Sequence, residues 1–315
     1  MELHQLRYFL AIAEEKSFSR AAERAHVAQP SLSQQIQKLE AELGVRLFDR
    51  LNRRVTLTQA GHALVPFAER ILNEIRDARR CLGDQDEEQG GAVRLGMIPT
   101  IAPYVAPRLM TVAAERHPRI SIELKEAVTD DLFDATERGE VDFSVISTCR
   151  KVQTLHAEEV ASEPLFVALG ESHPLAKKPA LEWADLKPVR IVTLQESHCL
   201  SRQVEKVCRA HNIKVDADMP LLQLSTLLAL VCSGLAVSLV PEMATKTSGA
   251  SCIFKRIRRS PPAREINLLR NSSRYQSRAA ALIMQLAAEI LRSITGSKSS
   301  GRPSTATCEL ILADA

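Results

Sequence analysis

Apolar positions in the first 61 residues recur at helical spacing, pause at two turns, and then switch to alternation. Leu6, Phe9, Leu10 and Ala13 line one face of a first helix over residues 3–14. Arg20 to Ala25 reads as a short second helix that Ser19 can cap, with His26 to Gln29 as the turn behind it. Pro30 falls in the first turn of the next helix, where a missing N–H costs nothing. That helix carries Leu32, Ile36, Leu39 and Leu43 on an inner face and ends at Gly44. Its outer face offers Ser31, Ser33, Gln34, Gln35 and Lys38, side chains suited to base edges and phosphate oxygens. Val45 to Thr58 then reads VRLFDRLNRRVTLT: a Leu47-Phe48 anchor, a basic turn with Arg50, Arg53 and Arg54, and the alternating Val55-Thr56-Leu57. Alternation around a basic turn predicts a two-stranded wing. A winged helix-turn-helix sets one helix in the major groove of double-stranded DNA and its cations on the flanking phosphates.

From Thr58, a natural cap, a long helix is expected to about Leu82. Its apolar positions are Ala60, Leu64, Phe67, Ile71, Ile75, Ala78 and Leu82. Spacings of three and four residues make a seam close to a two-stranded coil, so residues 58–82 are expected to join two copies of the chain. A homodimer would set two recognition helices on the halves of a near-palindromic operator. Residues 83–91, GDQDEEQGG, read as a hinge.

The pattern changes again after the hinge. Strands are expected at Val93–Met97, Ile120–Glu126 and Val141–Ser147, with helices at Tyr104–Glu115 and Asp130–Arg138 between them. A second half has strands near Leu165–Gly170, Arg190–Leu194 and Leu235–Val240, and helices near Arg202–His211 and Ser225–Ser233. Ile266–Leu269 is a further strand and Ser277–Thr295 a strongly amphipathic helix. Strand–helix alternation argues for a parallel, doubly wound sheet. The expected fold is therefore multidomain α and α/β, with two α/β lobes over residues 92–295. Lobe I would take about 92–162 and 267–295, lobe II about 163–266. The Ser/Gly/Pro-rich stretch 296–315 reads as a disordered tail.

Composition narrows the setting. An apolar fraction of 45%, a charged fraction of 25% and a net charge of +3 are those of an ordinary soluble protein. Residues 1–61 hold nine basic and seven acidic side chains, so sequence-independent DNA affinity per subunit should be modest. There is no run of 18 apolar residues and no signal peptide, which points to the cytoplasm and away from a membrane. The seven cysteines, at 81, 149, 199, 208, 232, 252 and 308, show neither framework nor metal-ligand spacing. In a reducing compartment any disulfide among them would be a switch. No metal and no cofactor is expected.

Candidate chemistry lies where strands meet helices. Ile98-Pro99-Thr100 follows the first strand of lobe I and opens a helix, so the Thr100 hydroxyl and nearby N–H groups would face a cleft between the lobes. Thr129 holds the corresponding place after the second strand. Gln195 to Arg202, QESHCLSR, puts Cys199 at a loop-to-helix junction. A helix N-terminus favours thiolate, and His198 and Arg202 would add to that if cationic. Such a thiol can be oxidised to sulfenic acid and resolved by a second cysteine. Cys208 lies nine residues on. On one helix the two would be about 13.5 Å apart along the axis. A disulfide needs Cα atoms within about 7 Å, so this bond could form only if the helix unravels. The other cysteines read as structural or incidental.

The run FSRAAERAHVAQPSLSQQIQKLEAELGVRLFDR…RRVTLTQAG resembles the signature of the LysR-type transcriptional regulators, almost without interruption over residues 1–61. The resemblance implies an N-terminal winged helix-turn-helix, a linker helix, a periplasmic-binding-protein-like effector domain of two lobes, a homotetramer, and RNA polymerase as a further partner. The IPT at 98–100, Thr129, and HCL followed by a second cysteine are similar to the peroxide-sensing OxyR branch of that family. That likeness implies a peroxidatic role for Cys199, a resolving role for Cys208, and a peroxide pocket with Thr100, Thr129 and His198. Two other readings stand beside it. A small metabolite could occupy the cleft, held by Thr100, with Cys199 only lining the pocket. A thiol peroxidase using Cys199 as nucleophile would leave residues 1–61 without a purpose.

Overall fold

The computed structural model describes residues 1–51, 54–83, 90–148, 152–246 and 252–296. Residues 84–89 of the hinge expected at 83–91, Arg53 of the wing, Cys149, and the tail from residue 297 with Cys308 lie outside the described residues. The chain divides into two compact units, Met1–Gln85 with Arg138–Glu140, and Asp86–Glu137 with Val141–Ala315.

The first unit holds α1 (Leu3–Glu15), α2 (Phe18–Arg24), α3 (Gln29–Leu43), β1 (Phe48–Leu51), β2 (Arg54–Leu57) and α4 (Gln59–Gly83). Ser17, not Ser19, caps α2: its hydroxyl accepts from the Arg20 N–H. The helix starts two residues earlier than expected because Phe18 packs inward against the Phe48 ring, 5.8 Å centroid to centroid. Pro30 sits in the first turn of α3, and Gly44 ends it in the left-handed region at φ 71°. Leu32, Ile36 and Leu39 are fully buried, but Leu43 is 39% exposed and lies off the inner face. Glu40 Oε1 accepts from the N–H groups of Leu47 and Phe48, fastening the wing to α3. β1 and β2 pair antiparallel, Phe48 opposite Leu57. Thr58 caps α4 through the Gly61 N–H, and a Cβ on Gly61 would lie 2.2 Å from the Leu47 carbonyl oxygen. Only glycine allows that approach of helix to wing.

The apolar seam of α4 is divided. Ala60, Leu64, Ala68, Ile71 and Leu72 pack onto the core of their own unit, whereas Phe67 and Leu82 are 53% and 75% exposed. The seam is thus not reserved for a second chain. The head is small, and it uses the first half of α4 to close its own core.

The second unit opens with β3 (Ala92–Met97), α5 (Ala102–Arg116), β4 (Ser121–Glu126), α6 (Thr129–Arg138), β5 (Phe143–Ile146) and β6 (Leu155–Gly170). There follow α7 (Trp183–Leu186), β7 (Ile191–Leu194), α8 (Cys199–Ala210), β8 (Val215–Leu221), α9 (Leu224–Cys232) and β9 (Ser238–Pro241). The last described elements are α10 (Glu242–Thr245), β10 (Cys252–Lys255), β11 (Ala263–Asn271) and α11 (Arg278–Thr295). β3 lies parallel to both β4 and β5, as βα alternation predicts. The rest of the sheet is antiparallel: β11 runs against β5 and β6, and β6 against β9 and β10. The expectation of a wholly parallel sheet therefore fails at β6. This strand is 16 residues long and crosses from one lobe into the other. Its first ten residues pair with β11 in lobe I, and Leu165 to Gly170 pair with β9 and β10 in lobe II. Each lobe has its own core, one around β3, α5 and α11, the other around β7, α8 and α9. Among the described residues no helix is long and apolar enough to cross a membrane.

Candidate functional site

The helix α8 organises the effector unit chemically. β7 ends at Leu194, a short loop follows, and His198 takes the N-cap position in extended conformation, φ −86° and ψ 129°. Cys199 is the first residue of the helix and Cys208 lies near its last turn. Both are almost fully buried, 2% and 0% exposed, yet in different places. Cys199 packs in the lobe I core with Ile98 and Ile101, and Cys208 packs in the lobe II core with Leu227 and Val231. Polar contacts draw the first turns of α8 across to lobe I. Gln203 Nε2 donates to the Ser147 carbonyl at 2.7 Å and to the hydroxyls of Ser147 and Thr148 at 3.2 and 3.1 Å. Arg202 reaches the Asp130 carboxylate at 3.5 Å.

Electrostatics around the two thiols differ from expectation. Burial pushes the His198 pKa below its ordinary value, against a smaller opposing effect from a hydrogen bond to the Leu222 backbone. The ring is therefore neutral at pH 7 and supplies no cation beside Cys199. The Arg202 guanidinium is turned to Asp130. Of the two expected cations, His198 is desolvated and Arg202 shares its charge with a carboxylate. Burial, with the Glu205 carboxylate adding to it, pushes the Cys208 thiol up to about 11. In this state Cys208 is a protonated core side chain and a poor nucleophile.

Thr100 is held by a buried ionic cluster that sequence reasoning missed. Arg264 Nη1 donates to Thr100 Oγ1 at 2.8 Å and Nη2 to the Thr100 carbonyl at 3.1 Å. Its other edge meets the Glu163 carboxylate, 2.8 Å from Nε and 2.7 Å from Nη2, with both side chains wholly sealed from water. Glu163 also accepts from the Met243 N–H. Arg264 and Glu163 stand opposite each other in the β11–β6 register, where the long strand passes between lobes. Both residues lie among other charged side chains of their strands, and 101 residues separate them, so nothing in the sequence marks them as partners. The Thr100 hydroxyl, having accepted from Arg264, keeps its hydrogen to donate. Thr129 begins α6, beside the Asp130 that Arg202 contacts, and its hydroxyl is buried without a hydrogen-bond partner among the described residues.

A cleft of about 580 Å³ opens between the lobes, lined by Pro99, Tyr104 and Glu126 on one side and by Gln223, Ser225 and Leu228 of α9 on the other. Pro99, not Thr100, forms its wall, because Arg264 draws Thr100 into the protein. Cys232, at the end of α9, also lines this cleft and is bonded to Cys252 at the start of β10, with Cα atoms 4.8 Å apart. These two cysteines, expected to be structural or incidental, form a pair that no sequence spacing announced. Cys81 is free and exposed.

On the first unit, Ser31, Gln34 and Lys38 form an exposed stripe along α3. Ser33 is half-buried, and Gln35 accepts from Gln5 Nε2 of α1 at 3.2 Å, so it helps seat α3 in its own unit. Arg50 and Arg54 fall on β1 and β2.

Residues 3–62 match the lysR family of bacterial regulatory helix-turn-helix proteins, and residues 86–292 match the LysR substrate binding domain. The DNA-binding transcriptional dual regulator OxyR of Escherichia coli (strain K12) is 33% identical over 244 residues, 78% of this chain and 80% of the relative. The structure is similar to a full-length OxyR variant from Pseudomonas aeruginosa, with a TM-score of 0.77 and 27% identity over 96% of this chain and 99% of that one. It is also similar to a cysteine mutant of Corynebacterium glutamicum OxyR with hydrogen peroxide bound, TM-score 0.62 and 27% identity over 94% and 96% of the two chains. The chain belongs to the LysR family of bacterial helix-turn-helix transcriptional regulators.

Proposed function

We propose that this regulator responds to hydrogen peroxide, with Cys199 as the thiol that is oxidised and Cys208 as the one that resolves it. The observation that carries the proposal is the placement of the two thiols at opposite ends of one helix, in separate cores. In the first step the Cys199 thiol takes one oxygen from peroxide, giving sulfenic acid and water. In the second the Cys208 thiol attacks that sulfur, giving a disulfide and a second water. The second step needs α8 to unwind, since about 13.5 Å of helix separates the residues. Oxidation therefore trades one packed arrangement for another, as a two-state switch requires. The unpartnered Thr129 hydroxyl, the remaining Thr100 hydrogen and the neutral His198 ring supply groups that suit a small polar oxidant. The relatives named for OxyR support the same reading.

In this proposal residues 1–61 read the operator. Ser31, Gln34 and Lys38, with the half-buried Ser33, face bases and nearby phosphates, Gln35 seats the helix that carries them, and Arg50, Arg53 and Arg54 hold the backbone or minor groove. The exposed Phe67 and Leu82 of the 58–82 helix meet a second copy, and dimers pair into a tetramer in the cytoplasm, where RNA polymerase works. The experiment is an operator footprint of the full-length protein before and after peroxide. The protected region should change in wild type and stay fixed in Cys199→Ser. An identical change in the variant would remove Cys199 from the signal.

The 580 Å³ cleft favours a second reading, a small-molecule effector. Glu126 in its wall argues for an aromatic or hydroxyl-bearing ligand over a carboxylate.

A further inference from the structure

The Cys232–Cys252 bond differs from the Cys199/Cys208 pair in three physical respects. Both of its residues are partly exposed, whereas Cys199 and Cys208 are buried. Its Cα atoms are 4.8 Å apart, inside the usual range for a disulfide, so the bond can open and close without unwinding a helix. It is also built into the cleft. Leu224, Ser225, Leu228, Ala229 and Cys232 all line that space, and together they make one face of α9. The helix is a wall of the cleft, and Cys232 is its last residue.

The far end of the bond is equally defined. Cys252 opens β10, which pairs with β6 across Gly170. A Cβ on Gly170 would lie 3.0 Å from the Val231 carbonyl and 2.9 Å from the Gly234 Cα. The end of α9 thus rests directly on the β6 backbone, with no side chain between them. The disulfide fastens the end of a cleft wall to the edge of the lobe II sheet. Without it, that end is held by packing and by the turn bonds from the Ser233 and Gly234 N–H groups.

We infer that Cys232 and Cys252 are a second thiol–disulfide centre, exchanging with low-molecular-weight disulfides of the glutathione class, and that its state sets the mobility of α9. The consequence for a ligand rests on the cleft as an effector site; the exchange does not. The chemistry balances in two displacements. The Cys232 thiol, losing its proton, attacks one sulfur of the small disulfide and releases one small thiol, leaving a mixed disulfide. The Cys252 thiol attacks the Cys232 sulfur and releases the second small thiol. Two protein thiols and one small disulfide give one protein disulfide and two small thiols.

The test uses full-length wild type, Cys252→Ser and Cys199→Ser, each equilibrated in glutathione buffers from fully reduced to fully oxidised. The samples are acid-quenched, alkylated and mapped by peptide mass. In wild type, residues 232 and 252 should pass together and reversibly from two alkylated thiols to one linked peptide. Cys199→Ser should behave alike, and Cys252→Ser should leave Cys232 carrying one glutathione. Amide hydrogen exchange in the last turn of α9 should be on the order of tenfold faster in the reduced form. A bond that survives the most reducing buffer until the protein unfolds would make it a fixed staple and overturn the proposal. So would two thiols that never link in the most oxidising buffer. If the pair interconverts while α9 exchanges equally in both states, the coupling to the cleft is refuted. A cleft that binds nothing would leave the thiol exchange intact, so the two failures are distinguishable.

Discussion

Cys199 and Cys208 share one helix but not one core: the first is buried in lobe I, the second in lobe II. A helix seated in this way couples its own integrity to the relation between lobes. Any bond joining its two cysteines must withdraw at least one of them from the core that now surrounds it.

Cys208 should be inert while α8 is intact. Burial, with the Glu205 carboxylate beside it, pushes its thiol from the ordinary 9.0 up to about 11. Near pH 8 its alkylation should be on the order of 100-fold slower than that of an ordinary thiol, before any further slowing from burial. Time-resolved alkylation with peptide mapping reads this directly, and unfolding in urea should abolish the difference. Equal rates for Cys208 and the exposed Cys81 in the native protein would mean that α8 opens freely without oxidation.

The Arg264–Glu163 pair should be costly to break and cheap to replace. Arg264→Met leaves a carboxylate sealed from water and frees Thr100, so unfolding free energy should fall by about 3–5 kcal/mol. The double variant R264M/E163L should be milder than the single one, because no buried charge remains. Urea titration of all three proteins gives the comparison, and a double variant worse than the single would assign the pair a net stabilising role.

His198 should make stability depend on pH on the acid side. Its folded pKa is depressed, so below the ordinary value near 6.5 the unfolded chain binds a proton that the folded one refuses. Stability from this group is complete above pH 6.5 and is lost as pH falls toward the folded value. Melting temperatures between pH 7.5 and 5.5 should decline more steeply for wild type than for His198→Asn. Parallel curves would show that the ring is not desolvated in solution.

In the DNA-binding unit, Gln34→Ala should relax sequence preference with little change in salt dependence. Arg53→Ala should weaken binding to every sequence and reduce the salt slope by about one. Binding isotherms on cognate and scrambled duplexes at several salt concentrations separate the two. Identical behaviour of the variants would erase the division between base reading and phosphate contact.

What the sequence revealed was local. Pro30 and Gly44 bound α3 because proline and glycine constrain their own backbone, and Leu32, Ile36 and Leu39 mark its buried face by spacing alone. The cap of α2 was misplaced because Ser17 and Ser19 are equally good caps, and only the packing of Phe18 decides between them. The first part of β6 was invisible because Glu158, Glu159 and Glu163 interrupt its apolar pattern. β8 was hidden likewise by Asp216, Asp218 and Pro220. At the candidate site, Cys199 at a helix start was legible from QESHCL. The neutral state of His198 was not, since burial is set by distant chain. The Arg264–Glu163–Thr100 cluster and the Cys232–Cys252 bond join residues that only the fold brings together.

The central claim is that α8 is a thiol switch. It is tested most directly by peptide mass mapping of the full-length protein after a brief, stoichiometric pulse of hydrogen peroxide. The account predicts a peptide linking Cys199 to Cys208, formed in wild type and abolished by Cys199→Ser. Two reduced thiols at 199 and 208 while exposed methionines such as Met219 oxidise would contradict it, and Cys199 would then be a core side chain of lobe I beside a cleft that answers to another ligand.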